Sequence, residues 1–332
     1  MPHNAHQETA HQERSTRGRD RHVGSGHLSP GLGGGNTFGW TSDESTSFEI
    51  LDAFAAGGGN FVDTADSYSA FAEGNSGGES ETVLGNWMAS RGNRDHVVIA
   101  TKVSQHPDFK GLAPANVRAA AEASLKRLQT DHIDVYYAHF DDAETPLVDT
   151  LDAFDGLVRD GLVRYVAISN YSPERIREWL SLTAENGFAA PIALQPHYNL
   201  VHRSDYEPEV AAIATENNLG VFPYYSLAAG FLAGKYRTQA DLDGQPRQRM
   251  ATRYFSESGL AVVDALAEIA AAHSAEISTI ALAWLLTRPG ITAPIASASR
   301  LEQLPALLDA PTVTLTVSEI NQLTTLSDAI GA

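Results

Sequence analysis

The sequence predicts a (β/α)8 barrel, the α/β fold also called a TIM barrel, and three observations carry the prediction. Short runs rich in β-branched and aromatic residues alternate with amphipathic stretches that have apolar residues at helical spacing. Most of the short runs are apolar throughout, as expected of parallel strands covered on both faces. The chain contains eight such runs, whereas an open doubly wound sheet usually has fewer strands.

The predicted strands are bounded by the apolar runs, and from the second strand onward polar residues end each run. The first run is rich in glycine and is the weakest of the set. In chain order, strands are predicted at Gly31–Gly35, Asn60–Asp63, Val97–Lys102, Ile133–His139, Val163–Ser169, Ile192–Gln195, Gly220–Tyr225 and Ile291–Ser297.

Helices are predicted between the strands and after the last one. Gly57–Gly59 stop the first helix, and Pro114 and Pro173 occupy first-turn positions, where a missing N–H costs little. The polar stretch Arg237–Ser256 predicts either a surface connection or a long loop over the barrel mouth. Helices are predicted at Asp43–Ala56, Ser80–Ser90, Pro114–Leu128, Leu147–Arg159, Pro173–Asn186, Glu207–Asn217, Ser258–Ala272, Ser278–Thr287, Leu301–Leu308 and Ser318–Ser327.

The chain divides into a tail and one domain. No composition shift or linker interrupts residues 30–329, so residues 28–332 are predicted to form a single barrel domain. Residues 1–27 are polar, contain five of the twelve histidines and are predicted to be a disordered tail. A metal-binding tract is the alternative for this tail, although the histidines are irregularly spaced.

Charge and composition exclude several classes of function. The formal net charge is -18, which disfavours nucleic acid and anionic membrane surfaces as partners. The chain has no cysteine, so thiol nucleophiles, disulfides and thiolate metal sites are excluded. No apolar run approaches the length of a membrane helix, and the first residues lack the hydrophobic stretch of a signal peptide. A cytoplasmic protein is therefore expected.

Polar side chains at the strand ends predict an active site, because barrel enzymes build their sites at the carboxyl ends of the strands. Lys102 directly follows an apolar strand, and a buried ammonium requires a compensating carboxylate, for which Asp63 is the natural partner. Tyr68, five residues beyond Asp63, is a candidate proton donor whose pKa a nearby cation lowers and burial raises. His139 ends the neighbouring strand and could orient a carbonyl oxygen or serve only as a structural residue.

A set of motifs follows in order along the chain. The motifs are FVDTADSY at 61–68, GESE at 78–81 with LG at 84–85, ATK at 100–102, DVYYAH at 134–139, ISNYS at 168–172, QPHYNL at 195–200, YYSLAAGFLAGKY at 224–236 and PIASASRLEQL at 294–304. With these motifs the chain resembles the aldo-keto reductase family over about residues 28–330. The resemblance implies a (β/α)8 barrel that binds a nicotinamide dinucleotide across its mouth without a Rossmann domain, and no Gly-x-Gly-x-x-Gly turn occurs.

The resemblance assigns roles to individual residues. It implies that Asp63, Tyr68, Lys102 and His139 are catalytic. It also implies a set of cofactor-binding residues, comprising Thr37, Asp63, Ser169, Asn170, Gln195, Tyr224, Leu227, Gly230, Lys235, Ser297, Ser299, Arg300 and Gln303.

The expected preference for NADPH over NADH depends on Ser299 and Arg300, near the end of this set. Arg300 beside Ser299 favours NADPH, because a guanidinium pairs well with a phosphate dianion, and NADH stays an alternative. Three departures from the family pattern concern cofactor binding: Ala306–Leu307 replace a common Glu-Asn pair, YYSL replaces YSPL at 224–227, and Ser297 replaces a frequent glycine.

The expected function is the reversible, NADPH-dependent reduction of an aldehyde or ketone, with Tyr68 as the proton donor. The alternative is an NADP(H)-binding regulatory or sensing subunit with little turnover.

No metal is expected, because a solvated loop explains the local cluster of His139, Asp141 and Asp142. A small carbonyl compound is the expected partner, with its identity and the oligomeric state unassigned. Trp40, Trp87 and Phe140 are candidates for lining its pocket or for packing.

Overall fold

A parallel eight-stranded sheet forms the centre of the molecule. The computed structural model describes residues 31–33 and 37–330, so the predicted tail at 1–27 and the end of the first predicted strand lie outside the described residues. The strands are β1 (Gly31–Gly33), β2 (Phe61–Asp63), β3 (Val98–Val103), β4 (Ile133–Ala138), β5 (Val163–Ser169), β6 (Pro191–Gln195), β7 (Gly220–Val221) and β8 (Ile295–Ala296).

The sheet closes on itself, which confirms the predicted barrel. Its order is β8-β1-β2-β3-β4-β5-β6-β7, with every neighbouring pair parallel. The last gap is bridged by residues just before and within β8. The Thr292 N–H donates to the carbonyl of Val221 over 2.8 Å, and the Ile295 N–H donates to the carbonyl of Pro223 over 2.8 Å.

Helices follow the strands, and several begin at side-chain caps. Asp43 accepts from the Thr46 N–H, and Thr316 forms a capping box with Glu319. The helices are α1 (Glu44–Ala56), α2 (Glu79–Arg91), α3 (Pro114–Leu128), α4 (Leu147–Arg159), α5 (Pro173–Asn186), α6 (Val210–Glu216), α7 (Gln239–Leu242), α8 (Gln248–Ala251), α9 (Glu257–His273), α10 (Ile277–Leu286), α11 (Leu304–Leu308) and α12 (Val317–Asp328).

Side chains fill the interior of the barrel. Ala100, Val135, Tyr137, Ala167 and Ala193 pack together inside the cylinder. At the amino-terminal end, the Phe61 and Phe222 rings stack with their centroids 4.8 Å apart. Polar side chains therefore collect at the carboxyl ends of the strands.

Three local features differ from the sequence prediction. The last two strands are shorter than expected, because Pro223 and Pro294 have no N–H to donate to a ladder. A small hairpin, Gln105–His106 with Phe109–Lys110, follows β3. The stretch at 237–256 is not structureless but contains α7, α8 and a 3-10 turn.

No single helix among the described residues is long and apolar enough to cross a bilayer. The pair α9 and α10 reaches that length and composition only together, and it is bent by 97°.

Candidate active site

Lys102 is the centre of the site, at the end of β3. Its Nζ donates to the Asp63 Oδ2 at 2.7 Å, to the Thr64 carbonyl at 2.7 Å and to the Tyr68 Oη at 3.0 Å. These three contacts use all three ammonium protons, so the amine is fixed in position. Both Lys102 and Asp63 are fully buried, and the chain order of β2 and β3 makes them neighbours on the barrel rim.

Asp63 is held on both oxygens. While Oδ2 faces Lys102, Oδ1 accepts from the side-chain amide of Gln195 at 2.8 Å, although the two residues are 132 positions apart. A buried carboxylate with two donors stays charged without solvent. The sequence prediction that Asp63 and Lys102 pair is therefore reproduced in the structure, and Gln195 joins them across the cylinder.

Electrostatics keep the Tyr68 phenol protonated. Burial raises the pKa of Tyr68 well above its usual value, and the negative charge of Asp63 raises it further. Burial lowers the pKa of Lys102, while the charge of Asp63 opposes that shift. Of the two opposing influences named from the sequence, burial is thus the larger one at Tyr68. Part of the Tyr68 side chain remains accessible, so its hydroxyl can meet a ligand.

His139 stands beside the phenol as a neutral imidazole. Its ring lies edge-on to Tyr68, with centroids 5.9 Å apart. Burial and the charge of Lys102 lower the pKa of His139 well below its usual value. The His139 Nδ1 is buried and has no hydrogen-bond partner among the described residues. A neutral, partly accessible imidazole can offer a hydrogen bond to an oxygen placed next to the Tyr68 hydroxyl.

A chain of amides and hydroxyls lies on the far side of the rim, after β5, β6 and β7. The Asn170 side-chain amide donates to the His139 carbonyl and to the Ser169 Oγ, both at 2.9 Å. Tyr224 Oη donates to the Asn170 Oδ1 at 2.7 Å, and Ser169 Oγ donates to the Gln195 carbonyl at 2.9 Å. Four of the predicted cofactor contacts are thus connected to each other and to His139.

Three cations lie together near the opposite edge of the mouth. The charges of Arg247 and Arg300 both lower the pKa of Lys235, after burial. Among the residues that the structure describes, no carboxylate lies within ion-pair distance of any of the three. An unpaired group of cations in a molecule this acidic is suited to an anionic ligand.

Arg247 was missed by the sequence analysis. Its guanidinium donates to the Thr37 Oγ1 at 2.9 Å, which joins the stretch at 237–256 to the loop after β1. The stretch therefore lies over the mouth, as the second sequence hypothesis had it. No signal in the sequence separated Arg247 from Arg237, Arg249 and Arg253 in the same polar stretch.

The backbone between these two groups is unusual. Tyr225, Ala228 and Ala229 have φ of 52°, 49° and 57°, and Gly230 has φ of 94°. Left-handed φ is rare for residues with a side chain. Internal hydrogen bonds hold the turn, since the Ala228 and Gly230 N–H groups donate to the carbonyls of Tyr225 and Leu227 at 2.7 and 2.8 Å. Leu227 lies within the turn and is partly buried against the core.

The carboxyl end of β8 completes the rim. The Ser299 N–H and Oγ contact the Gln303 Oε1 at 2.9 and 3.2 Å, so these two predicted residues act as a unit. Ser297 Oγ lies 2.9 Å from where a side chain on Gly33 would begin, so β1 and β8 approach closely only because Gly33 is glycine. Arg300 is exposed beside them.

Only some of the candidate aromatic residues lie at the mouth. Trp87 is buried and donates its indole N–H to Asp52 at 2.8 Å, so it packs between α1 and α2. Phe140 is partly exposed and contacts the His139 ring, with centroids 4.9 Å apart. The Trp40 ring contacts the exposed ring of Phe71 edge-on. Phe71 was not among the aromatic residues predicted from the sequence.

Fold and site together define a barrel enzyme whose charged, phenol-bearing centre lies at the carboxyl ends of its strands. The chain belongs to the aldo/keto reductase family, whose model matches residues 31–328. It is accordingly an NAD(P)-dependent oxidoreductase that acts on carbonyl groups.

Named relatives agree with this assignment. The chain is 33% identical to an uncharacterized oxidoreductase, YrpG, of Bacillus subtilis, over 84% of this chain and 86% of the relative. It is 30% identical to norsolorinic acid reductase B of Dothistroma septosporum, over 84% of this chain and 71% of the relative. It is also 30% identical to a probable voltage-gated potassium channel subunit beta of Oryza sativa, over 81% of this chain and 82% of the relative.

Proposed function

We propose that this chain reduces an aldehyde or ketone to an alcohol, reversibly and with NADPH, and that Tyr68 donates the proton. The observation that carries the proposal is the Lys102 ammonium, which contacts both the Asp63 carboxylate and the Tyr68 hydroxyl. This arrangement supports proton donation because the cation stabilises the phenolate left behind.

The residues at the mouth fit a dinucleotide. Lys235, Arg247 and Arg300 supply positive charge for phosphates, and no carboxylate of the described residues pairs with them. Ser169, Asn170 and Gln195 would hold the nicotinamide carboxamide, and Tyr224 would contact the ring. Ser297, Ser299 and Gln303, with Arg300, support a 2′-phosphate site and hence NADPH.

In this mechanism the bound cofactor supplies hydride to the carbonyl carbon. The Tyr68 hydroxyl donates its proton to the carbonyl oxygen as negative charge develops there. Lys102 keeps its proton and stabilises the phenolate, while Asp63 keeps Lys102 in place. The neutral His139 donates a hydrogen bond to the same oxygen and orients it. In the direction of alcohol oxidation, the phenolate accepts the proton.

A second candidate function has one observation in its favour, the likeness to a probable potassium channel subunit beta. A sensing subunit would bind NADPH without substrate-dependent turnover. Measuring single-turnover oxidation of bound NADPH against a panel of carbonyl compounds separates the two functions.

Two further expectations stay predictions of the sequence. They are a barrel unit spanning residues 28–332 and a cytoplasmic location.

Replacing Tyr68 by Phe tests the proton donor. We expect Tyr68→Phe to lower kcat about 10²- to 10⁴-fold, since a positioned general acid contributes on that scale. NADPH affinity, measured by fluorescence titration, should change less than about twofold. Tyr165→Phe, on an exposed tyrosine of β5, is the matched control and should leave kcat unchanged. A Tyr68→Phe protein with wild-type turnover would refute the assignment.

A further inference from the structure

A column of three aromatic rings supports Tyr224 from behind. The Tyr224 and His197 rings are 5.3 Å apart and inclined by 21°, and the His197 and His202 rings are 3.7 Å apart and inclined by 16°. We call Tyr224, His197 and His202 the ring column. The backbone is aligned as well, since the Tyr224 N–H donates to the Pro196 carbonyl at 2.9 Å.

Hydrogen bonds fix both imidazoles within their ring planes. His197 Nε2 contacts the Tyr254 Oη at 2.8 Å, and His202 Nε2 contacts the Asp205 Oδ2 at 2.7 Å. Tyr254 is buried and belongs to the stretch at 237–256 that also carries Arg247. The ring column therefore links the loop over the mouth to Tyr224.

Two members of the ring column, His197 and His202, lie close to Asp205, but these three residues do not form a metal centre in this arrangement. Ligand atoms of His197, His202 and Asp205 lie within 4.8 Å of one another. An imidazole lone pair lies in the plane of its ring, however, and metal–nitrogen bonds are about 2.0–2.1 Å. Two nearly parallel rings stacked 3.7 Å apart cannot direct their lone pairs at one ion. The geometry is that of a stack.

The middle ring of the column is uncharged. Burial and the neighbouring His202 and Arg253 side chains lower the pKa of His197 to about 3, with Asp205 opposing. A neutral imidazole packs between two rings without the desolvation cost of a buried cation. Because the ring is neutral and hydrogen-bonded at its edge, it acts as a rigid flat support for Tyr224.

We propose that His197 is a positioning residue, which holds the Tyr224 ring at the angle needed to receive the nicotinamide and is itself held by the Tyr254 hydroxyl of the 237–256 stretch. The inference rests on the proposed function, in which Tyr224 contacts the nicotinamide ring. Asn170 holds the Tyr224 hydroxyl and Tyr225 packs edge-on against its ring, while the nearly parallel His197 ring constrains its tilt.

The test compares NADPH with 2′-phospho-ADP-ribose, which is the same cofactor without its nicotinamide. Dissociation constants for both ligands are measured by calorimetry on the wild type, His197→Ala, His197→Phe and Tyr254→Phe. His197→Ala should weaken NADPH binding about three- to tenfold, as expected for loss of an aromatic stack, and leave the fragment unchanged. His197→Phe retains a flat ring and should stay within about twofold of the wild type for both ligands.

Tyr254→Phe removes one hydroxyl and isolates the link to the loop. It should speed the release of NADPH while leaving that of the fragment unchanged, because only the former contacts Tyr224. Thermal unfolding of each variant is recorded, so that a loss of fold is not mistaken for a loss of support.

Three other outcomes would contradict one or both proposals. Equal weakening of both ligands by His197→Ala would overturn the positioning role while leaving the proposed function intact. A wild type that binds both ligands equally would contradict the nicotinamide contact, and with it both proposals. Binding of added Zn²⁺ by the wild type at micromolar concentration, lost in His202→Ala, would show that the cluster is a metal centre and would overturn the stack.

Discussion

At the scale of single residues, the site depends on buried charges whose partners differ. Lys102 and Asp63 satisfy one another and their remaining hydrogen-bonding groups, which is the condition under which a buried ion pair is tolerated. Asp66, three residues after Asp63, is fully buried too, yet neither of its carboxylate oxygens has a hydrogen-bond partner among the described residues. Nearby Glu81 is held by Thr101 and Arg127.

This contrast gives Asp66 a distinct protonation state. Burial raises the pKa of Asp66 well above its usual value, and the charge of Glu81 raises it further, while Arg127 and Lys102 oppose. The raised pKa favours the neutral, protonated form of Asp66, next to a Glu81 side chain that accepts from Thr101 and Arg127. A protonated carboxyl avoids a second negative charge beneath Tyr68.

Asp66 should therefore make stability depend on pH. The folded state binds a proton at Asp66 that the unfolded chain loses near pH 4, so the wild type loses stability as pH rises above that point, by at most about 1.4 kcal/mol per pH unit. Asp66→Asn, which mimics the neutral carboxyl, should remove this loss, and its advantage should grow as pH rises from 5 toward the raised folded-state pKa of Asp66.

Urea unfolding at several pH values measures the effect. Asp160→Asn, on an exposed carboxylate at the end of α4, serves as the control and should run parallel to the wild type. A constant difference between Asp66→Asn and the wild type across this range would mean that Asp66 is ionised.

How far single residues could be predicted depends on their surroundings in the sequence. Lys102 follows five apolar or small residues, so its burial and its need for a carboxylate were predictable from the chain alone. Arg247 lies among polar residues, and its role depends on a contact with Thr37, 210 positions away. His197 gave no signal either, because stacking depends on ring orientation, which no periodicity encodes.

At the scale of elements, periodicity predicted the interiors of strands and helices and lost accuracy at their ends. The strand predicted at Gly220–Tyr225 is regular only at Gly220–Val221, because Pro223 offers no donor and Tyr225 turns into left-handed φ. The Phe222 and Tyr224 N–H groups still donate to the carbonyls of Leu194 and Pro196, so irregular pairing continues past the end of the strand.

The stretch at 237–256 supplies a prediction at this scale. Arg247→Gln should weaken NADPH binding about tenfold or more, since a charge-assisted hydrogen bond to a phosphate contributes on the order of 1.5–3 kcal/mol. Arg249→Gln, on an exposed arginine of α8, the short helix that Arg247 immediately precedes, is the matched control and should have little effect. Fluorescence titration with NADPH distinguishes them. Equal effects would show that the stretch contributes only its overall charge.

At the scale of the whole molecule, closure of the sheet is what assembles the site. Parallel strands all present their carboxyl ends to one rim, so the strand count alone predicted that Asp63, Lys102, His139 and Gln195 would gather there. The distances between them were not predictable, because they depend on strand stagger and on the residues that fill the interior. One closure contact between β7 and β8 likewise runs to a proline that interrupts the pattern, since the Ile295 N–H donates to the Pro223 carbonyl.

The net charge of the chain leads to a prediction about the rate at which NADPH associates. The chain carries a formal charge of -18, while Lys235, Arg247 and Arg300 form a local group of cations at the mouth, so a polyanionic cofactor approaches against a repulsive field and is attracted only at short range. Salt screens distant charges first, with a Debye length of about 30 Å at 0.01 M and about 8 Å at 0.15 M. Stopped-flow measurements should therefore show the association rate of NADPH rising severalfold over this range of ionic strength. Potassium glutamate is compared with chloride to separate screening from competition at the phosphate site. A rate that falls steadily in both salts would mean that the three local cations, and not the overall charge, govern the encounter.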